Sequence, residues 1–324
     1  MNQRFLPLLI TTAVFVFGYL FCAFEFHNFA SLRVVGNLLT DNAFLGIVAV
    51  GMTFVILSGG IDLSVGSVIA FTTVFLATAI ETLSLPPLVA FVAILAIGAA
   101  FGASMGAVIH YLKMPPFIVS LAGMFLARGT SFLLTTDSIP INHPLYSSLN
   151  DASLHILSGR FSLIAMVMLL VFVAGGILAH RTRFGTNVFA LGGNAISAQL
   201  MGVPVARTTI GIYTLSSFLA ALAGIVFSLY TSAGYPLAAI GTEMDAIAAV
   251  VIGGTLLTGG YGYVFGSFVG ILIQGLIQTF ITFDGTLSSW WTKIVVGFLL
   301  FAFIALQRLL LIVWSPRSQR ISTI

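Results

Sequence analysis

The sequence predicts an all-α protein that crosses a membrane about ten times. The composition is the first observation: 59% of the residues are hydrophobic, 6% are charged and the mean hydropathy is +1.14. A typical soluble domain has about 25% charged residues. The length is the second observation, because 324 residues leave room for about ten spans of about 20 residues with short connections. We therefore expect one transmembrane domain over residues 1–324 and no large soluble domain.

The apolar segments support this count one by one. Prolines lie at or outside the segment ends, as at Pro86-Pro87 and Pro115-Pro116, where a missing amide hydrogen costs least. The eighth segment is short, so we expect it to be re-entrant or to span only with its flanks. The predicted spans are residues 5–24, 43–58, 64–80, 87–109, 117–134, 161–179, 208–231, 246–258, 263–282 and 292–313.

The distribution of basic residues predicts the orientation. If the number of spans is even and the N-terminus is inside, eight Lys and Arg residues fall in inner segments and three in outer segments. Basic residues accumulate on the cytoplasmic side of membrane proteins, so we expect both termini to be cytoplasmic. The inner bases are Arg4, Lys113, Arg181, Arg183, Arg207, Arg308, Arg317 and Arg320, and the outer bases are Arg33, Arg160 and Lys293.

Residues 51–71 interrupt an apolar stretch with a glycine pair, an acid and hydroxyl groups. The acid is Asp62, and Ser64 follows it closely. A carboxylate there is costly unless protein or water solvates it, which makes Asp62 and Ser64 candidate pathway or gating residues. Helix capping is the other interpretation and the one that the sequence favours, because Asp62 directly precedes an expected helix start.

The glycine pair in this segment has a counterpart near the other end of the chain. Ser58-Gly59-Gly60 is matched by Thr258-Gly259-Gly260, each between two apolar segments. Internal repeats are common in transporters, but 33 glycines make short matches frequent. A structural repeat and a chance match both remain open.

Three polar residues lie inside predicted spans. Arg128 lies near the centre of span 117–134, so it should face the bundle interior or water, where it either lines a translocation path or braces the bundle. Gln274 and Gln278 are four residues apart and share one helix face. They are candidate pathway residues, although hydrogen bonding to a neighbouring helix is the simpler interpretation.

The longest polar stretch on the inner side runs from residue 180 to 207. Its middle, residues 194–201, consists of helix-compatible residues that follow Gly192-Gly193 and end at Gly202. A glycine stop of this kind suits a short helix. We expect an amphipathic element at the membrane surface, which is the form that a docking or coupling helix needs.

Four blocks, in this order, resemble the ribose/galactose-type sugar permeases, which are the membrane subunits of binding-protein-dependent ABC importers. The first two are residues 51–71 and the segment KMPPFIVSL at residues 113–121. The third is the inner loop, and the fourth is residues 241–270, GTEMDAIAAVVIGGTLLTGGYGYVFGSFVG. One glycine-rich block would be weak support, whereas four blocks in order cover most of residues 50 to 300.

The resemblance implies that the inner loop, about residues 180–207, couples this chain to an ATPase. The expected coupling residues are Arg181, Arg183, Phe184, Gly185, Gly192, Asn194, Ala198 and Gly202. Two positions depart from the family pattern, since Thr186 stands where Arg is usual and Ile196-Ser197 where Glu-Ala is usual. These departures suggest weaker docking or one half of a heterodimeric pair of the galactofuranose type. An ordinary positive-inside loop is the alternative.

The resemblance also implies the function and the partners. We expect a permease subunit that imports a monosaccharide across the bacterial inner membrane, with a cobalamin-type helix arrangement. Its partners would be an ABC ATPase subunit, a second permease subunit, a periplasmic sugar-binding protein and membrane lipid. The alternatives are an ABC permease for an amino acid or a nucleoside and an ATP-independent secondary carrier or channel.

Several functions have no support in the sequence. Lys113 and Lys293 are the only lysines, and neither closes a phosphate-binding loop; ATP and Mg²⁺ should therefore bind the partner ATPase, and no cofactor is expected in this chain. The five histidines show no ligand-like spacing, so we expect no metal site and no catalytic site. The bases are scattered, which argues against nucleic-acid binding.

Overall fold

A computed structural model describes residues 6–156 and 159–314 of the chain. The helices are α1 (Leu6–Glu25), α2 (Leu32–Asp41), α3 (Ala43–Leu57), α4 (Val65–Ala77, with a π-helical turn Thr78–Thr82), α5 (Pro87–Tyr111), α6 (Pro116–Leu134), α7 (Pro144–Asp151), α8 (Leu163–Arg181), α9 (Arg183–Gly193), α10 (Ala195–Leu200), α11 (Val205–Thr231), α12 (Thr242–Ile252), α13 (Val264–Asp284) and α14 (Trp290–Trp314). The strands are β1 (Ile139–Pro140), β2 (Ser153–Ile156), β3 (Gly159–Ser162) and β4 (Ala233–Gly234).

The helical content confirms the predicted all-α membrane fold. Within the described part of the chain, eight helices are long and apolar enough to cross a membrane, or nine if α2 and α3, which are bent by 57° at Asn42, form one span. These nine coincide with nine of the ten predicted segments. The remaining one, residues 246–258, is the short α12 followed by irregular chain up to Tyr263. The count of ten and the cobalamin-type arrangement remain predictions, and the terminal bases Arg4, Arg317 and Arg320 lie outside the described residues.

The centre of the bundle is built from α3, α4, α5 and α11. In α3, 14 of the 15 residues are buried, as expected of a helix that is apolar on every side. Small residues let α5 approach α11 closely: a Cβ atom added to Gly102 would lie 2.2 Å from the Tyr213 carbonyl oxygen. The peripheral helices α1 and α14 are far more exposed, since only 11% of the most apolar stretch of each helix is buried. They therefore present a surface suited to lipid.

Two short pairs of strands, which the sequence did not predict, lie at the end of the bundle that carries α7. Strands β2 and β3 pair antiparallel within the loop between α7 and α8, and β1 pairs with β4. Tyr146 on α7 is buried against α11, where its hydroxyl lies 3.1 Å from Ser228 Oγ. Burial raises the pKa of the Tyr146 phenol to about 12, so this residue stays neutral. The two strand pairs and α7 thus fix the loops at this end of the bundle.

The two glycine pairs interrupt the bundle at one place in space. The first break lies between α3 and α4, and the second between α12 and α13. Gly59, Gly259 and Gly260 all have positive φ angles, of 80°, 83° and 75°, which glycine adopts at no steric cost. The Gly260 amide donates to the Leu57 carbonyl at 2.8 Å, so the breaks are in direct contact.

Candidate coupling surface and pathway residues

The inner loop folds into two consecutive helices. Thr182 caps α9 by accepting the Gly185 amide at 3.2 Å, and Asn194 caps α10 by accepting the Ser197 amide at 2.8 Å. Gly202, with φ of 82°, follows the end of α10. The predicted helix within residues 194–201 is therefore present. Helix α9 was not predicted, although Thr182, its N-cap residue, is a start signal in the sequence.

The short helix α10 presents apolar side chains outward. Ile196 and Leu200 are 74% and 84% exposed, and the adjacent Met201 is 73% exposed. Ile196 and Leu200 are four residues apart and therefore share one face, whereas Ala198 is fully buried on the opposite side. An exposed apolar tip of this kind is typical of a protein-contact site. This exposed apolar face was not predicted, because Ile196 was considered only as the residue that replaces a usual Glu.

The predicted coupling residues divide into exposed and buried groups. Arg181, Arg183, Asn194 and Gly202 are exposed. The others position the loop: a Cβ atom on Gly185 would lie 2.0 Å from the Ala179 carbonyl oxygen, and one on Gly192 would lie 1.8 Å from the Leu57 carbonyl oxygen. Phe184 packs over Gly211 of α11 and against the Phe54 ring, with ring centroids 6.1 Å apart.

Gly192 connects the inner loop to both helix breaks. A Cβ atom added to Gly259 would lie 3.1 Å from the Gly192 α-carbon. A Cβ atom added to Gly192 would lie 2.6 Å from the Gly260 amide nitrogen. Backbone therefore packs on backbone at this junction, with no side chain between. The arrangement places the end of α9 in direct contact with the first and second breaks, and α10 follows α9 directly.

Asp62 is fully buried in the first break and is held by hydroxyl and amide groups. Its Oδ1 accepts the Ser64 amide at 2.9 Å and the Ser64 hydroxyl at 2.6 Å, and its Oδ2 accepts the Ser216 hydroxyl of α11 at 2.7 Å. The bond from the Ser64 amide forms an Asx turn directly before α4. The N-cap residue of α4 is Ser64, which makes no side-chain capping bond, so the predicted capping of the helix by Asp62 is wrong. The bond from Ser216 also ties the break to α11. No cation within the described residues pairs with this carboxylate.

Arg128 holds the loop between α11 and α12. Its Nη1 donates to the carbonyl oxygens of Pro236 and Ala238, at 2.5 and 2.8 Å. The loop is conformationally unusual, because Ser232 and Ala239 have φ angles of 50° and 55°. A cation that binds two carbonyls fixes such a loop, so the geometry is that of a brace.

Gln274 and Gln278 lie in different surroundings on α13. Gln274 is 5% exposed and its Nε2 donates to the Asp245 carbonyl of α12 at 2.9 Å. Gln278 lines a polar crevice at the outer end of α13. The structure therefore does not bring the five candidate pathway residues into one site: Asp62 and Ser64 contact α11, Arg128 contacts the outer loop, and the two glutamines face α12 and the crevice.

With eight or nine helices long and apolar enough to cross a membrane among the described residues, the fold is that of a polytopic membrane protein. The comparisons with known proteins agree. Residues 34–304 match the family model described as "Branched-chain amino acid transport system / permease component". The chain belongs to this family of transporter permease components.

Several curated proteins are similar to the chain over most of its length. It is 63% identical over 318 residues to the inner membrane ABC transporter permease protein YjfF of Escherichia coli strain K12, covering 98% of this chain and 96% of that protein. The fructose import permease protein FruG of Bifidobacterium longum strain NCC 2705 is 36% identical, over 98% and 95% of the two chains. The ribose import permease protein RbsC of E. coli strain K12 is 38% identical over 83% of each. No solved structure gives a significant match.

Proposed function

We propose that this chain is the membrane-spanning permease subunit of a binding-protein-dependent ABC importer that carries a monosaccharide across the bacterial inner membrane. The observation that carries the proposal is the similarity, over nearly the whole chain, to proteins named as fructose and ribose import permeases. The chain itself needs no catalytic chemistry. A separate ATPase subunit binds ATP and Mg²⁺, and a periplasmic binding protein delivers the sugar.

The exposed face of α10, formed by Ile196, Leu200 and Met201, is the proposed ATPase-docking surface. An amphipathic helix docks by laying its apolar side chains in a groove of the partner. A displacement of α10 acts on α9 and then on Gly192, which packs directly on Leu57 and Gly260. A displacement of α10 would therefore move both helix breaks. This contact is the proposed route by which ATP binding to the partner changes the helix bundle.

Charge substitution on α10 tests the docking surface. We expect Ile196→Asp and Leu200→Asp to abolish copurification with the ATPase subunit, because each places a carboxylate in an apolar contact. Ile196→Val and Leu200→Met keep the apolar face and should copurify normally. Normal copurification and normal ATP-driven uptake in both aspartate variants would remove α10 from the docking surface.

Uptake measurements test the substrate class. The importer, reconstituted with its ATPase and binding protein, should take up a monosaccharide only when ATP is supplied. The description of the family model favours a second candidate substrate, a branched-chain amino acid, so leucine uptake is measured in parallel. Leucine uptake without sugar uptake would replace the sugar proposal, and uptake without any ATPase would indicate a secondary carrier.

Both termini are proposed to be cytoplasmic, on the basis of the inner bases in the described residues, which include Arg181, Arg183 and Arg207. The α7 segment then faces the periplasm. A Ser148→Cys variant should react with a membrane-impermeant thiol reagent added outside intact spheroplasts. Reaction only from the cytoplasmic side would reverse the map.

The proposed second permease subunit is a non-identical one. The support is the pair of uncharged positions, Thr186 and Ile196, both exposed on the inner surface, since a partner could carry stronger docking contacts. A homodimer with weaker contacts on both sides fits the same substitutions. Intact-mass measurement of the assembled transporter, purified through a tag on this chain, decides between them: two copies of this chain alone with full activity would exclude the heterodimer.

A further inference from the structure

A polar crevice opens at the outer ends of α3, α12, α13 and α14. Its volume is about 270 Å³, near the lower end of the range for small-molecule sites. The side chains that matter for its chemistry are those of Asn42, Asp245, Gln274, Gln278, Thr292 and Lys293. A second cavity of about 140 Å³ shares Asn42 and Gln278 with it, so Gln278 lines two neighbouring polar spaces.

The only cation that lines the crevice is already neutralised. Lys293 Nζ donates to both carboxylate oxygens of Asp245, at 2.6 and 2.5 Å. This is the one ion pair among residues 6–156 and 159–314. A phosphorylated ligand or a lipid phosphate would have to break it, because no other Lys or Arg lines either cavity. The crevice therefore suits an uncharged ligand.

Several hydrogen-bonding groups in the crevice are uncommitted. The side-chain amide of Gln278, which is exposed, and the hydroxyl of Thr292, which is partly buried, make no hydrogen bond to any residue that the structure describes. Asn42 uses only its Nδ2, which donates to the Leu38 carbonyl at 2.9 Å, and its Oδ1 remains an acceptor. An amide offers both donors and acceptors, and a hydroxyl offers one donor and two lone pairs. The walls thus match a ligand that carries hydroxyl groups on several sides.

We propose that this crevice is a binding site for a neutral monosaccharide within the permease itself, with Gln278 as its central hydrogen-bonding residue. The inference deepens the proposed function and rests on it for the substrate class. Gln274, which is tied to the Asp245 carbonyl, supports the wall instead of contacting the sugar. The site would receive the sugar from the outer side, with the Asp245–Lys293 pair at its edge.

Site-directed thiol labelling tests the site. Cys22 is the only cysteine and is buried, so a Cys22→Ser background gives a chain without thiols. Ser289→Cys and Thr292→Cys, both on the crevice wall, are then introduced separately into the complete transporter in membrane vesicles, without ATP. Ser148→Cys, exposed on α7 away from the crevice, is the matched control. The probes are D-ribose, D-fructose and D-galactose, with glycine betaine as the osmotic control.

A bound sugar should slow labelling of Ser289→Cys and Thr292→Cys by a factor of 1 + [L]/Kd, about threefold at a sugar concentration of twice Kd. Labelling of Ser148→Cys should not change. Protection at neither crevice position by any of the three sugars, or equal slowing at Ser148→Cys, would overturn the inference. Both crevice variants leave Gln278 in place, and either one tests the site if the other folds poorly.

The uptake assay is read separately. Sugar uptake without protection would overturn this site and leave the proposed function intact. Protection without uptake would support the site and count against the import function.

Discussion

Two helix–glycine–helix segments, α3–α4 and α12–α13, carry similar sequences but are fixed in different ways. The first break is held from within by Asp62, whose carboxylate accepts bonds from Ser64 and Ser216. The second break contains no acid. It is fixed from outside: Gly259 and Gly260 pack on Gly192 and on the first break.

The helices that precede the two breaks differ in the same way. α3 is buried along nearly its whole length, so apolar packing positions it, together with one hydrogen bond between the Thr53 and Ser267 hydroxyls. α12 has only 11 residues and is tied at both ends. Arg128 binds the loop that precedes it and Lys293 binds Asp245 in its first turn, and Thr11 donates to the Ile252 carbonyl at its last residue. The position of each bend is therefore determined by a glycine pair, whereas the residues that pack around the bend determine which interactions stabilise it.

The largest effect is expected where the second break meets the inner loop. Gly192→Ala would place a methyl group 1.8 Å from the Leu57 carbonyl oxygen, and backbone cannot move aside without separating the two breaks. We expect a loss of more than about 3 kcal/mol in unfolding free energy, measured by denaturant titration in detergent. Gly193→Ala, at a position with no neighbour within 4 Å, is the control. Equal stability of both variants would show that the junction is not closely packed.

Removal of the buried acid tests the first break. Asp62→Ala leaves three donor groups of Ser64 and Ser216 without their acceptor, which should cost about 3 kcal/mol of unfolding free energy. Asp62→Asn retains an acceptor oxygen and should restore most of the stability. If the asparagine variant is stable but fails in uptake, the carboxylate has a pathway or gating role in addition to its structural one.

The outer brace on α12 should have a smaller effect. Arg128→Met removes the bonds to the carbonyls of Pro236 and Ala238 and should cost about 2 kcal/mol, in the range for hydrogen bonds to charged groups. The readout is the thiol reactivity of Leu237→Cys, in the loop itself, which should rise. Arg128→Lys provides the charge without the planar donor geometry. Unchanged reactivity in Arg128→Met would show that Arg128 does not hold the loop.

The second tie on α12 should matter least for stability. The Lys293 side chain is 52% exposed, and exposed ion pairs contribute about 0.2–1 kcal/mol. Lys293→Met should therefore change the unfolding free energy by less than about 1 kcal/mol, with Asp245→Asn as the companion variant. A larger loss in both would mean that the ion pair, and not Arg128, fixes the outer end of α12.

The class of fold and most of the segment boundaries could be predicted from the amino-acid sequence. A charged content of 6% and long apolar runs leave no soluble alternative, and prolines mark the ends of α5 and α6. The short helix α10 was also predictable, because Asn194 and Gly202 are local start and stop signals. These properties depend on composition and on neighbours within a few residues, so no tertiary contact is needed to read them.

The contacts of the buried polar residues could not be predicted in this way, because they depend on how distant helices pack. Ser216 is 154 residues from Asp62, and the carbonyls that bind Arg128 are 108 and 110 residues away from it. No local spacing encodes such pairs, since they form when distant helices pack. The same holds for Gly192. Its neighbours in sequence do not show that a side chain is excluded there, whereas in the structure a Cβ atom at this position would collide with the Leu57 carbonyl oxygen.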